Sequence, residues 1–189
     1  MRIIGGAWRG RRLASLGKGD AAAHLRPTSD RVRESLFNVL SNTYPDQLQG
    51  AQVLDLFAGT GALGLEALSR GAAGASFVEN GRTGLKLLRE NIRTLGAEAQ
   101  VLARDAPRLG PAPSPCDLVF LDPPYGKAMG ERALASANAG GWIAHGALVV
   151  WEESAPVDTP PWLTLQDERR YGDTVIRIFE RSDASGGGI

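Results

Sequence analysis

Apolar residues follow two different spacings along the chain, and the two spacings alternate after residue 50. Short apolar runs predict buried β-strands, whereas apolar residues three or four positions apart predict one face of a helix. The predicted strands lie near residues 53–57, 75–79, 99–103, 117–121 and 147–151, and the predicted helices near 28–42, 62–70, 82–95 and 127–138. This alternation is typical of a parallel sheet with helices on both faces, so we expect an α/β fold.

The two ends of the chain carry other patterns. Residues 162–168 and 171–180 predict a closing β-hairpin that turns at Tyr171-Gly172-Asp173. Residues 2–6 and 9–13 flank a glycine-containing turn and predict a short N-terminal hairpin.

These patterns predict a single domain with three parts. Residues 1–26 form a basic hairpin and loop, residues 27–181 form the α/β core, and residues 182–189 form a disordered tail. A chain of 189 residues, 43% of them hydrophobic, is long enough to bury one core without disulfides or metals.

Cysteine and histidine are scarce. One cysteine, Cys116, and two histidines supply neither an internal disulfide nor a zinc cluster, so we expect a reducing compartment and no metal. Arginine and glycine interrupt the N-terminus before an apolar segment forms, and no apolar run reaches membrane-spanning length. These features predict a cytoplasmic protein.

Charge is unevenly distributed although the net charge is zero. Residues 1–33 carry eight basic and two acidic side chains, a net charge of +6 that leaves −6 for the remainder. Clustered arginines neutralise phosphates and stack on unpaired bases, so this segment is either a nucleic-acid contact or a solvated arginine-rich hairpin. The candidate RNA-binding residues are Trp8, Arg9, Arg11, Arg12 and Arg26.

A glycine-rich loop follows the first strand of the α/β core. Gly59, Gly61 and Gly64 allow a tight turn and a close approach of backbone to ligand, and free N–H groups at the next helix start face that ligand. Their spacing matches the dinucleotide pattern, and Glu79 lies 20 residues after Gly59, where it could bind ribose hydroxyls. A nicotinamide-dependent oxidoreductase is therefore one alternative.

Two acidic positions favour a different cofactor. Asp55 precedes the loop, where it suits a cationic amino group better than a pyrophosphate, and Asp105 with Ala106 can recognise an adenine at the end of the third strand. A ligand with an amino-acid end, a ribose and an adenine but no phosphates is S-adenosylmethionine. Phe57 and Thr60, in or beside the glycine-rich loop, are further candidate cofactor-binding residues.

Asp122-Pro123-Pro124-Tyr125 ends the apolar run of the fourth strand. Two prolines fix the backbone and remove two donors, leaving the Asp122 carboxylate and the Pro123 carbonyl as acceptors beside the Tyr125 ring. An exocyclic NH2 on a flat base fits that arrangement. By itself, the tetrapeptide is also compatible with a proline-stiffened turn, and it does not distinguish guanine from adenine or cytosine.

The motifs together resemble the bacterial small-subunit ribosomal RNA guanine-N2 methyltransferases of the RsmD type. The resemblance is carried by residues 1–6, 8–11 and 26–38, by the loop at 55–64 and by residues 122–125. It implies a Rossmann-like class I methyltransferase with seven strands, the last antiparallel, and a guanine of assembled or assembling small-subunit RNA as the target. It also implies that Arg31 approaches the methionine end of the cofactor.

Three functions therefore stay under consideration. The first is an S-adenosylmethionine-dependent rRNA guanine-N2 methyltransferase, which we expect to be a monomer. The second is a DNA adenine or cytosine amino-methyltransferase, although the chain shows no separate target-recognition domain. The third is the nicotinamide-dependent oxidoreductase.

Overall fold

A computed structural model describes residues 1–16, 28–124 and 128–182 of the chain. The predictions for Arg26, Tyr125 and residues 183–189 therefore lie outside the described residues. Within the described residues, the chain forms seven β-strands and four α-helices. The strands are β1 (Gln52–Asp55), β2 (Gly74–Val78), β3 (Gln100–Leu102), β4 (Cys116–Leu121), β5 (Ile143–Glu152), β6 (Leu163–Tyr171) and β7 (Thr174–Arg181). The helices are α1 (Asp30–Thr43), α2 (Ala62–Ser69), α3 (Arg82–Leu95) and α4 (Met129–Ala139).

All seven strands belong to one sheet with the order β3-β2-β1-β4-β5-β7-β6. Strands β1 to β5 pair in parallel, and β7 lies antiparallel between β5 and β6. The predicted α/β fold with an antiparallel last strand is confirmed. The parallel arrangement places the carboxyl ends of β1 to β5 at one edge of the sheet, hereafter the carboxyl edge.

Alternating strand residues feed two separate cores. On β1, Val53 belongs to a core that α1, α2 and α3 cover, whereas Leu54 belongs to the core on the opposite sheet face, which α4 covers. Burying both faces explains why the strands read as nearly continuous apolar runs. Within the first core, α1 packs partly through the Phe37 ring, whose centroid lies 5.7 Å from that of Phe120 on β4.

Strand β5 begins four residues earlier than predicted. The apolar run that the prediction used starts at Ala147, but the strand starts at Ile143. A register irregularity between Cys116 and Leu118 of β4, together with a φ of 74° at Gly146, explains the difference. Polar and glycine residues within the strand conceal its first part from a pattern of apolar positions.

Ser29 caps the start of helix α1, and its hydroxyl accepts a hydrogen bond from the Val32 N–H at 3.2 Å. Its buried face includes Arg33, which is fully buried, although the charge count above placed it in the basic segment. The Arg33 Nη2 donates to Asp30 Oδ1 at 2.7 Å and to the Arg2 carbonyl at 2.5 Å. Burial lowers the pKa of Arg33, and the charge of Asp30 is the main effect that opposes this decrease. Arg33 is thus a structural cation and is not available to RNA.

The N-terminal segment folds back on itself through a single antiparallel bridge between Arg2 and Arg12. Flanking hydrogen bonds join Ile3 N–H to the Arg11 carbonyl at 2.9 Å and Leu13 N–H to the Met1 carbonyl at 3.1 Å. The pairing is antiparallel, as expected for a hairpin, but among the described residues it is limited to one bridge. The segment therefore depends on the helices beneath it for its conformation.

Glu66 of α2 anchors that segment. Its buried carboxylate accepts hydrogen bonds from the backbone N–H groups of Ile4 and Gly5 at 2.9 and 2.8 Å, and from Arg70 Nε at 2.8 Å.

None of the described helices combines the length and apolar character needed to cross a bilayer.

We expect Glu66→Ala to lower the free energy of unfolding by about 2–4 kcal/mol, because it leaves buried donors and the Arg70 cation without their acceptor. Urea unfolding followed by circular dichroism measures this change. Glu90→Ala, at an exposed position of α3, is the control. A Glu66→Ala protein within 0.5 kcal/mol of wild type would contradict this role.

Candidate active site

Four acidic side chains follow four neighbouring strands at the carboxyl edge. Asp55 is the last residue of β1, Glu79 follows β2, Asp105 lies three residues beyond β3, and Asp122 follows β4. Asp55 pairs in register with Phe120, two residues before Asp122. The sheet therefore places the predicted cofactor acids and the predicted base-amine acid along one edge, on adjacent strands.

The glycine loop between β1 and α2 has the tight conformation that its sequence predicts. Gly59 and Gly61 have φ values of 54° and 82°, in the left-handed region. A Cβ at Gly61 would lie 2.5 Å from Leu88 Cδ1, and one at Gly64 would lie 2.4 Å from Phe77 Cε1. Glycine is therefore required at both positions by packing against the helices and strands behind the loop.

Glu79 fixes the loop from the next strand. Its Oε2 accepts from the Gly59 N–H at 2.8 Å, and its Oε1 accepts from the Gly81 N–H at 2.7 Å. The side chain is only half-buried, so its carboxylate reaches both the loop backbone and the open edge. Glu79 thus joins the ends of β1 and β2 and is a candidate acceptor for ligand hydroxyls.

Asp55 is almost fully buried, at 1% exposure. Its Oδ2 accepts a hydrogen bond from the Gly64 N–H, in the first turn of α2, at 3.2 Å. Burial raises the pKa of Asp55 to about 7, the Gly64 hydrogen bond opposes this increase, and the charge of Glu79 adds to it. A cationic ligand group beside Asp55 would therefore relieve an electrostatic cost that the folded chain carries.

Asp105 and Ala106 lie at the far side of this region. Asp105 is half-buried at the start of a 3₁₀ turn formed by Ala106–Arg108, and Ala106 is 4% exposed. Phe57, half-buried, packs against the core on the α4 face. Thr60 is close to fully buried, and its hydroxyl donates to Met1 Sδ at 3.7 Å, so the N-terminus of the chain touches the glycine loop.

Asn91 of α3 is a residue that the sequence analysis did not identify. Its fully buried amide donates to the Thr60 carbonyl at 2.9 Å and to the Ala14 carbonyl at 3.0 Å, and it accepts from the Ala14 N–H at 2.6 Å. Asn91 therefore ties the glycine loop to the N-terminal segment. An asparagine between Leu88 and Leu95 on an apolar helix face was the available signal.

Asp122 follows β4 directly and is half-buried, with Pro123 buried and Pro124 exposed. Burial raises the pKa of Asp122 well above its usual range, and the charges of Glu152, Asp55 and Glu153 raise it further. Strand pairing explains the effect of Glu152. Leu121 pairs with Trp151 on β5, so the next residues along the two adjacent strands, Asp122 and Glu152, are neighbours.

The contact between Glu152 and Thr28 was not predicted from the sequence. The buried Glu152 ends β5, and its Oε2 accepts a hydrogen bond from the Thr28 hydroxyl at 2.7 Å. Thr28 lies two residues before α1, so this contact brings the start of α1 to the carboxyl edge. A glutamate at the end of an apolar strand was the only sequence signal for this contact.

Arg31 is exposed in the first turn of α1, near the carboxyl edge, in a groove with Arg169 and Tyr171. The predicted arginines of the N-terminal segment lie apart from this edge. Arg9, Arg11 and Arg12 are exposed, and Arg11 Nη2 donates to the Thr94 carbonyl at 2.5 Å, near the end of α3 that points away from the carboxyl edge.

Trp8 is half-buried, and its backbone N–H donates to Ser69 Oγ, at the end of α2, at 3.0 Å. The arginine-rich turn of the N-terminal segment therefore lies at the opposite end of α2 and α3 from the glycine loop.

The buried Asp55 makes protein stability depend on pH. Folded Asp55 binds its proton more tightly than unfolded Asp55, so its stabilising contribution is complete at acidic pH and is lost as pH rises through about 7. Between pH 5 and pH 8 we expect the wild type to lose about 2–3 kcal/mol of unfolding free energy that Asp55→Asn does not lose, because asparagine does not titrate. Urea unfolding at both pH values measures this difference, with the exposed Asp46→Asn as control. Equal pH dependence in wild type and Asp55→Asn would be the contrary result.

Known proteins similar to this chain carry methyltransferase names. This chain is 41% identical to Ribosomal RNA small subunit methyltransferase D of Escherichia coli strain K12. The match extends over 186 residues and covers 96% of this chain and 90% of the relative. The Haemophilus influenzae protein of the same name is 36% identical, with 95% of this chain and 93% of the relative covered. A solved Escherichia coli structure described as the putative methyltransferase yhhF superimposes with a TM-score of 0.82 at 40% identity, covering 96% and 98% of the two chains. The family described as Conserved hypothetical protein 95 matches residues 1–180, and the chain belongs to this family, as the resemblance of its motifs indicated.

Proposed function

We propose that the protein transfers a methyl group from S-adenosylmethionine to the exocyclic N2 amine of a guanine in small-subunit ribosomal RNA. The observation that carries the proposal is the placement of Asp55, with its glycine loop, beside Asp122-Pro123 at the ends of adjacent strands. The names of the similar proteins support ribosomal RNA of the small subunit as the substrate. The choice of guanine rests on family membership.

The residues of the carboxyl edge fit the proposed cofactor. Asp55 offers a buried carboxylate to the cationic amino-acid end, Glu79 offers acceptors to the ribose, and Asp105 with the Ala106 N–H suits an adenine. Four carboxylates lie at this edge, those of Asp55, Glu79, Asp122 and Glu152. Burial raises the pKa of Asp55 and Asp122, and the charges of neighbouring carboxylates raise it further. Such an edge favours a cationic ligand over the pyrophosphate of a dinucleotide.

Asp122 and the Pro123 carbonyl orient the target amine. When bound, the cofactor supplies an electrophilic methyl group on a positively charged sulfur, so the protein mainly contributes placement and electrostatics. Hydrogen bonds from the two amine hydrogens to these acceptors return electron density to nitrogen and direct its lone pair toward the methyl group.

The transfer forms a nitrogen–carbon bond, breaks the sulfur–carbon bond and leaves one surplus proton on nitrogen. Asp122 is suited to accept that proton. Because its pKa is raised, its carboxylate is a stronger base than an exposed aspartate. Solvent water is the alternative acceptor.

RNA binding completes the proposal. The exposed Arg9, Arg11 and Arg12 are proposed to neutralise phosphates at the end of the molecule opposite the target base. Trp8 holds this turn against α2, and its ring packs partly on the core. We further propose that the protein acts in the cytoplasm as a monomer, on assembled or assembling small subunits.

Asp122→Ala and Asp122→Asn test the site. We expect kcat for methyl transfer to fall by about 100-fold or more, because an acceptor aimed at the reacting amine is lost, while affinity for S-adenosylhomocysteine changes little. Asp117→Asn is the matched control, because Asp117 lies at the other end of β4 and accepts from the Gln52 N–H at 2.9 Å. Turnover near the wild-type rate in Asp122→Ala would remove Asp122 from the mechanism.

The substrate is tested with tritium-labelled cofactor on stripped ribosomal RNA, small subunits and duplex DNA. Label is expected in RNA or subunits, and label confined to duplex DNA would reject the proposal. Calorimetry with S-adenosylhomocysteine and with NAD separates the two cofactor classes.

A further inference from the structure

A groove at the surface separates α1 from β6 and the turn that joins β6 to β7. It consists of two adjoining depressions of about 430 and 500 Å³ that share Arg31 and Ser35. We call it the α1 groove and define it by Arg31, Ser35 and Asn38 of α1 and Arg169, Arg170 and Tyr171 of β6.

The walls of the α1 groove are held together. The Ser35 hydroxyl and the Tyr171 hydroxyl lie 2.6 Å apart in a hydrogen bond, and the Tyr171 ring packs against the core beneath α1. This hydrogen bond and the packing of Tyr171 fix the spacing of α1 and β6, so the groove is part of the fold.

Most of the charged side chains that line the α1 groove are cationic. Arg31 and Arg170 are exposed, and neither forms a salt bridge with any residue that the structure describes. Arg169 Nε is 2.9 Å from Asp167 Oδ2, but its side chain stays 48% exposed. Glu34 is the acidic residue in the lining, so the lining contains three arginines and one carboxylate.

The location of the α1 groove relates it to the reacting base. Strand β6 runs parallel to β4 and ends at Tyr171, so the groove opens at the carboxyl edge, where Asp122 also lies. Three strand spacings separate β4 from β6 in the sheet, a distance of about 14 Å. The groove is thus within a few nucleotides of the target base, on the opposite side of β4 from the cofactor loop.

We propose that the α1 groove binds the RNA backbone next to the target nucleotide, with phosphates on Arg31, Arg169 and Arg170. Guanidinium groups match phosphate oxygens in a bidentate geometry, and the Asn38 amide adds a neutral donor of the kind that contacts phosphate or sugar. This inference rests on the proposed function and adds a second RNA contact to it. The arginine-rich N-terminal turn lies at the other end of the molecule, so the two contacts hold RNA at separate places.

The double variant Arg169→Gln/Arg170→Gln tests the groove, with Lys86→Gln/Arg89→Gln as the matched control. The control removes two exposed charges from α3, over the cofactor half of the sheet. Filter binding of ribosomal RNA over a salt series gives affinity independently of turnover. We expect a tenfold or greater loss of affinity in the groove variant, and a slope of log affinity against log salt that is smaller by about two.

Steady-state methylation separates this inference from the proposed function. The groove variant is expected to raise KM for RNA about tenfold while kcat and affinity for S-adenosylhomocysteine remain unchanged. Arg170→Gln alone, which breaks no ion pair among the described residues, should lower the salt slope by about one, and it replaces the double variant if that protein is unstable.

Two results would overturn the inference. Unchanged RNA affinity and salt slope in the groove variants would exclude the groove as an RNA contact. Loss of binding to assembled subunits with normal binding to naked RNA would assign the groove to a protein partner. A wild-type protein that binds RNA through the groove but methylates neither substrate would instead reject the proposed function.

Discussion

The parallel alignment of β1 to β5 is the constraint on which the active site depends. It brings the ends of separate strands to one edge, so residues far apart in sequence become neighbours without any flexible positioning. Asp55, Asp122 and Glu152 end or follow three adjacent strands. Burial raises the pKa of Asp55 and Asp122, the charge of Glu79 adds to the increase at Asp55, and the charges of Glu152 and Asp55 add to it at Asp122. The charged carboxylates at this edge are therefore unfavourable without a nearby cation, and the edge is well suited to hold one.

A second set of contacts connects the cofactor side of the sheet to the N-terminal segment. Asn91 joins the Thr60 carbonyl to the backbone of Ala14, and Glu66 holds the Ile4 and Gly5 amides against α2. Since the segment has only one β-bridge of its own among the described residues, these buried polar groups determine where it lies. The glycine loop and the basic segment are thereby parts of one packed unit rather than independent elements.

The sequence predicted the fold and the grouping of the four acidic residues at one edge, for identifiable physical reasons. Strands buried on both faces produce apolar runs that local pattern detects, and the glycines of the loop are required because Leu88 and Phe77 leave no room for a Cβ. The carboxyl ends of successive parallel strands must meet, so Asp55, Glu79, Asp105 and Asp122 could be assembled from their positions alone.

Pairing between distant segments was not available from the sequence. Arg33 was counted with the basic residues of the N-terminal segment, and its burial against the Arg2 carbonyl, 31 residues away, was not predicted. The Thr28–Glu152 hydrogen bond spans 124 residues, and the groove between Arg31 and Arg170 exists only because β6 returns beside α1. Residues of this kind are recognised by what they contact, and local periodicity does not record those contacts.

The assignment of the target amine is tested most directly by mass spectrometry of nucleosides. Small-subunit ribosomal RNA is prepared from cells that lack the enzyme, methylated by the enzyme in vitro and then digested to nucleosides. We expect one new methylated nucleoside, N2-methylguanosine, and none when Asp122 is replaced by alanine. A methylated adenosine or cytidine, or N2-methylguanosine formed equally well by Asp122→Ala, would contradict the proposed function of the site.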